Sequence, residues 1–96
     1  MVYMKELTTL LHTLLRDAAR SGDWSNIPVA FQTPKFGMLL MEDGDNPLLI
    51  ASKNRMAHKV PKSMYPPSIG WILDMCAQED LKRAELHTLG IPSPEL

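Results

Sequence analysis

Apolar residues recur three or four positions apart over residues 3–20. They are Met4, Leu7, Leu10, Leu11, Leu14, Leu15 and Ala18. This spacing gathers them on one face of a helix and leaves polar residues on the other face. We therefore predict an amphipathic helix over residues 3–20, ended by Gly22, because glycine adopts the left-handed conformation that commonly closes a helix.

The predicted first helix contains two overlapping LxxLL patterns, at residues 7–11 and 11–15. Such a pattern docks into apolar grooves when it is exposed, but any amphipathic helix that covers a core has leucines at the same spacing. We interpret these leucines as part of the core.

The pattern changes after this helix, since Ile27, Val29 and Phe31 alternate with other residues as in a half-buried strand. Residues 36–42 are apolar on both faces, which is typical of a strand covered on both sides. A turn-like run separates them from residues 48–53, so we predict a hairpin of 36–42 with 48–53.

A second long helix is predicted near the C-terminal end, with Ser68 as its cap and Gly90 as its stop. One apolar face consists of Ile69, Ile72, Leu73, Cys76 and Ala77. A second stripe lies roughly opposite and consists of Trp71, Met75, Leu86 and Leu89. Either the helix has two packing partners, or it breaks near residues 78–80 into two short helices that face the same core.

These elements predict an α+β fold in the order α-β-β-(β)-α, with a small antiparallel sheet of two to four strands flanked by the two helices. We expect a single domain over residues 1–91 and a short tail over 92–96. The strand at 36–42 favours cover on both faces of the sheet. A second copy of the chain could supply one cover, in which case the stripe with Trp71 would be the dimer interface.

Length and composition are those of a globular domain, with 96 residues, 45% of them hydrophobic and 22% charged. No apolar run approaches the roughly 20 residues that cross a bilayer. The single cysteine, Cys76, cannot form an internal disulfide. We therefore expect a soluble cytoplasmic protein that does not associate with membranes.

The charges are unevenly distributed although the net charge is only −1. No acidic residue occurs between Asp45 and Asp74, where the basic residues are Lys53, Arg55, Lys59 and Lys62. These cations could belong to an ordinary solvated loop, which their modest number favours, or they could contact the phosphates of a nucleic acid or an acidic protein partner. Nucleic-acid binding is the weaker alternative, because the isoelectric point of about 6.3 lies far below the value above 9 that is typical of such domains.

Catalytic and metal-binding patterns are not evident in the sequence. The five glycines form no phosphate-binding motif, and Cys76 stands apart from the scattered residues His12, His58 and His87. We expect no catalytic residue, no metal site and no cofactor, and hence a protein that is not an enzyme.

The remaining hypothesis is a small regulator, inhibitor or adaptor that binds another protein, of the kind that compact bacterial or phage accessory genes encode. Seven methionines support it, because methionine packs adaptably at binding surfaces. We predict that the partner, or a second copy in a homodimer, binds the stripe formed by Trp71, Met75, Leu86 and Leu89.

Overall fold

The computed structural model of the protein describes residues 2–88 and 90, with the backbone alone for residues 2–8. The described residues form four α-helices. They are α1 (Val2–Ser21), α2 (Pro34–Gly37), α3 (Pro47–Lys53) and α4 (Gly70–Thr88). Three short 3₁₀ turns connect them, at Val29–Phe31, Ala57–Lys59 and Lys62–Met64.

Helix α1 confirms the helix predicted over residues 3–20. Its C-terminal half packs into the core through Leu15, Ala18 and Ala19, which are buried. Gly22 ends it as predicted, with φ +79° and its N–H donating to the Ala18 carbonyl at 2.8 Å. A Cβ atom at Gly22 would also lie only 2.9 Å from Cγ of Lys59, so glycine is needed there for space as well as for conformation.

The α+β prediction is wrong. Where the sequence pattern predicted strands at 27–31, 36–42 and 48–53, the chain forms a 3₁₀ turn, the end of α2 with the loop that follows it, and α3. The described part of the chain, residues 2–88 and 90, contains no strand and no sheet. The predicted hairpin and the order α-β-β-(β)-α are therefore replaced by an all-helical fold.

Two prolines help to explain why helices form in this part of the chain. Pro34 and Pro47 each occupy the first turn of a helix, where the fixed φ of proline fits and its missing N–H costs no hydrogen bond. Before Pro47, Asn46 caps α3, since its side-chain oxygen accepts the N–H of Leu49 at 2.8 Å. The dipeptide Asn46-Pro47, which resembles a turn in the sequence, thus begins a helix.

The core lies between α1, α3 and the segments around them. Helix α1 packs on α3, and α2 packs on the 62–64 turn and on α3. The buried residues of this core include Leu15, Trp24, Ile27, Met41, Leu48, Ile50, Ala51, Val60 and Met64. At the closest approach, Gly37 of α2 lies so near Met64 that a Cβ atom there would be 2.7 Å from the Met64 carbonyl oxygen.

Helix α4 is held mainly by the 57–59 turn. It is continuous from Gly70 to Thr88, so the break considered near residues 78–80 does not occur. It begins at Gly70, and the carbonyl of Ile69 accepts the N–H of Leu73, so Ile69 is the N-cap. The predicted cap, Ser68, lies one position before it, and that prediction is wrong. Gly90 has φ +76°, in line with its predicted role as the stop.

The molecule is elongated, with extents of 52 × 27 × 24 Å. None of the helices in residues 2–88 combines the length and apolarity required to cross a membrane. The predicted tail, residues 92–96, lies outside the described residues.

Candidate protein-binding site

The outer surface of α4 carries four large apolar side chains that solvent reaches. Trp71 is 66% exposed, Met75 58%, Leu81 47% and Ile72 42%. Of the predicted stripe, Trp71 and Met75 lie on this surface, Leu86 is half-buried, and Leu89 lies outside the described residues. Ile72 was assigned to the inward face and is instead exposed, because α4 is covered on a narrow side only.

A groove of about 550 Å³ runs along α4 on the side that faces α3. Its lining consists of Ser52, Trp71, Ile72, Met75, Cys76, Glu79, Asp80 and Arg83. We call it the α4 groove. Its N-terminal half, from Trp71 to Cys76, is formed by apolar side chains and a thiol, whereas its C-terminal half is formed by three charged residues.

Asp80 fixes α4 to the rest of the fold. It is only 7% exposed, and its Oδ2 accepts the backbone N–H of Ala57 at 2.9 Å. Arg83, one turn further along α4, has Nη1 3.7 Å from Oδ1 of the same carboxylate. Both oxygens of Asp80 therefore face a partner inside the protein. A buried carboxylate without such partners would be strongly destabilising.

Glu79 is the remaining charged group of the α4 groove. It is exposed, and no hydrogen bond or ion pair joins its side chain to another residue of the described part. Glu79, Asp80 and Arg83 together carry a formal charge of −1. The charged half of the groove is thus weakly acidic, with Glu79 as the carboxylate open to a partner.

A polar cluster lies beside the N-terminal half of α4. Lys62 Nζ lies 3.5 Å from Asp74 Oδ1, and Gln78 Nε2 donates to Asp74 Oδ2 at 3.2 Å. Burial raises the pKa of Tyr65, and the nearby negative charge of Asp74 raises it further, because both disfavour the phenolate. These residues border a smaller cavity of about 220 Å³ beside α4.

The predicted basic residues lie on three successive elements. Lys53 ends α3 and pairs with both carboxylate oxygens of Asp45 at 2.8 and 2.9 Å. Lys62 pairs with Asp74, and the stem of Lys59 packs beside Gly22. Two of the four cations thus already face carboxylates of this chain, which would compete with phosphates. Nucleic-acid binding by this segment stays a prediction.

Arg55 has a role in the backbone. It follows α3 with φ +58°, in the left-handed position of a Schellman motif. The N–H of Arg55 donates to the Ser52 carbonyl at 3.1 Å and that of Met56 to the Ala51 carbonyl at 2.8 Å. This motif turns the chain toward the 57–59 turn that holds α4.

A second groove of about 540 Å³ lies on the other side of α4, toward its C-terminal end. Its lining consists of His58, Lys59, Leu81, Ala84, Glu85 and Thr88. Among its residues only Leu81 is a large apolar side chain that is well exposed. The apolar surface of α4 is therefore concentrated at the α4 groove.

Catalytic chemistry finds little support in the α4 groove. Cys76 is a half-buried free thiol, and the titratable groups that share the groove with it are Glu79, Asp80 and Arg83. Activating a thiol takes a neighbouring base and an electropositive setting, which two carboxylates do not provide. No group of three His, Cys, Asp or Glu side chains suited to a metal ion occurs within the described residues.

Of the residues that line the groove, the sequence pattern indicates only Trp71 and Met75. It does not single out the other six, Ser52, Ile72, Cys76, Glu79, Asp80 and Arg83. Asp80 was interpreted as part of a helix break, although its position on the side of Leu73 and Ala77 would have placed it on the inward face of a continuous helix.

No protein-family model, curated protein or solved structure matches this chain.

Proposed function

We propose that the protein is a small non-catalytic regulator, inhibitor or adaptor that acts by binding another protein through the α4 groove. The observation that carries the proposal is the exposure of Trp71 and Met75 side by side on a regular helix. Tryptophan and methionine are enriched in the cores of protein interfaces. Large apolar side chains that are clustered on a surface, and not scattered singly, commonly mark an interaction site.

The energetics of burial support the same proposal. Fully burying a large apolar side chain contributes roughly 1.5–3 kcal/mol. Trp71 and Met75 still have more than half of their surface in water, so most of that contribution is available to a partner. Tryptophan is also among the residue types most often found as interface hot spots.

We place this function in the cytoplasm, because the one cysteine, Cys76, is a free thiol that needs no oxidising compartment.

The test compares proteins captured from cell lysate by three tagged forms of the chain, with quantification by mass spectrometry. One form is wild type and the second carries Trp71→Ala and Met75→Ala. The third is a matched control with Val29→Ala and Leu40→Ala, which removes apolar side chains that are 81% and 67% exposed away from α4. Circular dichroism verifies that all three forms are folded.

We expect wild type and control to capture the same proteins. The α4 double variant should capture at least one of them in an amount reduced tenfold or more. Truncating a hot-spot residue costs about 2 kcal/mol or more of binding free energy, and about 1.4 kcal/mol is a factor of ten. Identical capture by all three forms would refute the proposal.

A further inference from the structure

The dimensions of the α4 groove constrain what can occupy it. From Trp71 to Arg83 it spans thirteen residues of α4, and the twelve steps between them at 1.5 Å each give about 18 Å. Its apolar side chains Trp71, Ile72 and Met75 are 66%, 42% and 58% exposed, so this half is an open trough and not a cavity that encloses a small molecule. A length of about 18 Å is that of a three-turn helix laid alongside α4.

The backbone of the groove favours a helix over an extended peptide. Extended peptides gain much of their affinity by pairing their backbone with a sheet edge, and residues 2–88 and 90 provide no strand. The long wall of the groove is α4, whose interior amides bond within their own helix. A helical partner satisfies its own backbone and needs only side-chain contacts.

The two halves of the groove differ in chemistry, which gives the partner a direction. Trp71, Ile72 and Met75 form the apolar half, and Glu79 is the first residue of the charged half. Since Asp80 already accepts the Ala57 amide and faces Arg83, Glu79 is the carboxylate that a partner can reach. In a helix that runs parallel to α4, the groove therefore matches two apolar residues one turn apart and a basic residue one turn after the second.

A second copy of α4 fits this arrangement less well. In an antiparallel pair centred on the groove, Trp71 lies level with Arg83 of the other copy, and Met75 lies level with Glu79. The apolar half of each copy then faces the charged half of the other. In an antiparallel pair centred on Leu73, Trp71 and Met75 would cover each other, but the other α4 begins level with Cys76, so Glu79 and Arg83 would stay uncovered. In a parallel pair, the two Glu79 carboxylates approach each other, which is unfavourable.

From these contacts we infer that the α4 groove binds an amphipathic helix of about three turns on a different protein. Two apolar side chains one turn apart cover Trp71 and Met75, and a Lys or Arg side chain lies beside Glu79. This inference rests on the proposed function and names the chemistry of the partner.

Two synthetic peptides of about sixteen residues, long enough for marginal helicity in water, test it. Both are alanine-rich and capped at their ends, with leucines at the fourth and eighth positions. One has lysine at the twelfth position, and the other has glutamate there. Binding is followed by the emission of Trp71, which is 66% exposed, whereas Trp24 is already buried and should change little.

We expect the lysine peptide to shift Trp71 emission to the blue. At low salt it should bind roughly two- to tenfold more tightly than the glutamate peptide, because an exposed ion pair contributes about 0.2–1 kcal/mol and a like-charge pair costs a similar amount. Glu79→Gln should remove this preference. Glu85→Gln, which removes a carboxylate from the second groove of the same helix, should retain it.

The inference is overturned if neither peptide binds, if the two bind equally well, or if the preference survives Glu79→Gln. It is also overturned if light scattering shows a dimer that Trp71→Ala dissociates, because a second copy then occupies the groove. The proposed function is judged separately, since it fails only when the α4 double variant captures the same proteins as wild type.

Discussion

Replacing Gly37 by alanine tests the packing of this small fold, because the change adds a single methyl group to a buried position. It is buried in α2 and lies outside the left-handed region, so backbone conformation alone would accept alanine there. A Cβ atom at Gly37 would lie 2.7 Å from the Met64 carbonyl oxygen, 3.3 Å from the Met64 Cβ and 3.5 Å from Cδ1 of Leu48. The nearest of these atoms belongs to backbone and cannot rotate away.

The two effects of Gly37→Ala have opposite signs. Replacing glycine by alanine within a helix favours folding by about 0.5–1 kcal/mol, because less backbone entropy is lost. Overpacking costs about 1–3 kcal/mol and more when backbone must move. We expect a net destabilisation of about 1–2 kcal/mol, which lowers the melting temperature by roughly 4–16 °C in a domain of this size.

Gly70→Ala is the matched control. Gly70 begins α4 without a positive φ, and its added Cβ would meet only the Tyr65 Cβ at 3.7 Å, an ordinary contact. The change in the unfolded chain is the same in both variants, so we expect Gly70→Ala to raise stability by up to about 1 kcal/mol. Thermal and urea unfolding, followed by circular dichroism at 222 nm, measure both. A Gly37→Ala protein as stable as wild type would refute the close approach of α2 to Met64.

Three further predictions concern polar contacts. Asp80→Ala should lower the free energy of unfolding by about 1–3 kcal/mol in a urea titration, because it leaves the Ala57 N–H unpaired. Asp80→Asn retains an acceptor and should lower the free energy of unfolding less. Equal losses in the two variants would contradict this prediction. Asn46→Ala should cost about 0.5–2 kcal/mol through loss of the α3 cap, measured in the same way, and no loss would refute the cap. The raised pKa of Tyr65 means that its contribution to stability is complete below its unfolded pKa of about 10 and is lost as pH rises through the folded value. Asp74→Asn should lower that pKa in an NMR titration of the Tyr65 ring, and an unchanged pKa would exclude Asp74 as a cause.

The two long helices were predictable because their apolar spacing extends over several turns. The prediction for 3–20 corresponds to α1 at Val2–Ser21, and the glycines at 22 and 90 have the positive φ values expected of helix stops. Exposure of Trp71 also follows from the pattern, since an apolar residue opposite the inward face of a helix remains in water unless something covers it.

The middle of the chain was not predictable from periodicity. Alternation over the five residues 27–31 is too short to distinguish a strand from a turn of helix, and the apolar run at 36–42 has the same ambiguity. The available signal was local: Asn46 followed by Pro47 fits a helix start as well as a turn. The spacing of Asp80 with Leu73 and Ala77 indicates the inward face of α4, but no local pattern identifies its partner, the Ala57 amide 23 positions away.

The attachment of α4 has a consequence for local unfolding. Leu73 is the α4 side chain that packs against the main core cluster, and the other principal contacts of the helix are to the 57–59 turn. Opening α4 therefore breaks the bond between Asp80 and Ala57 but leaves the packing of α1 on α3 in place. Such a unit opens at a lower free energy than the whole domain does. A partner that binds only the closed α4 divides the population of the open state by one plus the ratio of its concentration to its dissociation constant. Partner binding and the closing of α4 are therefore coupled equilibria.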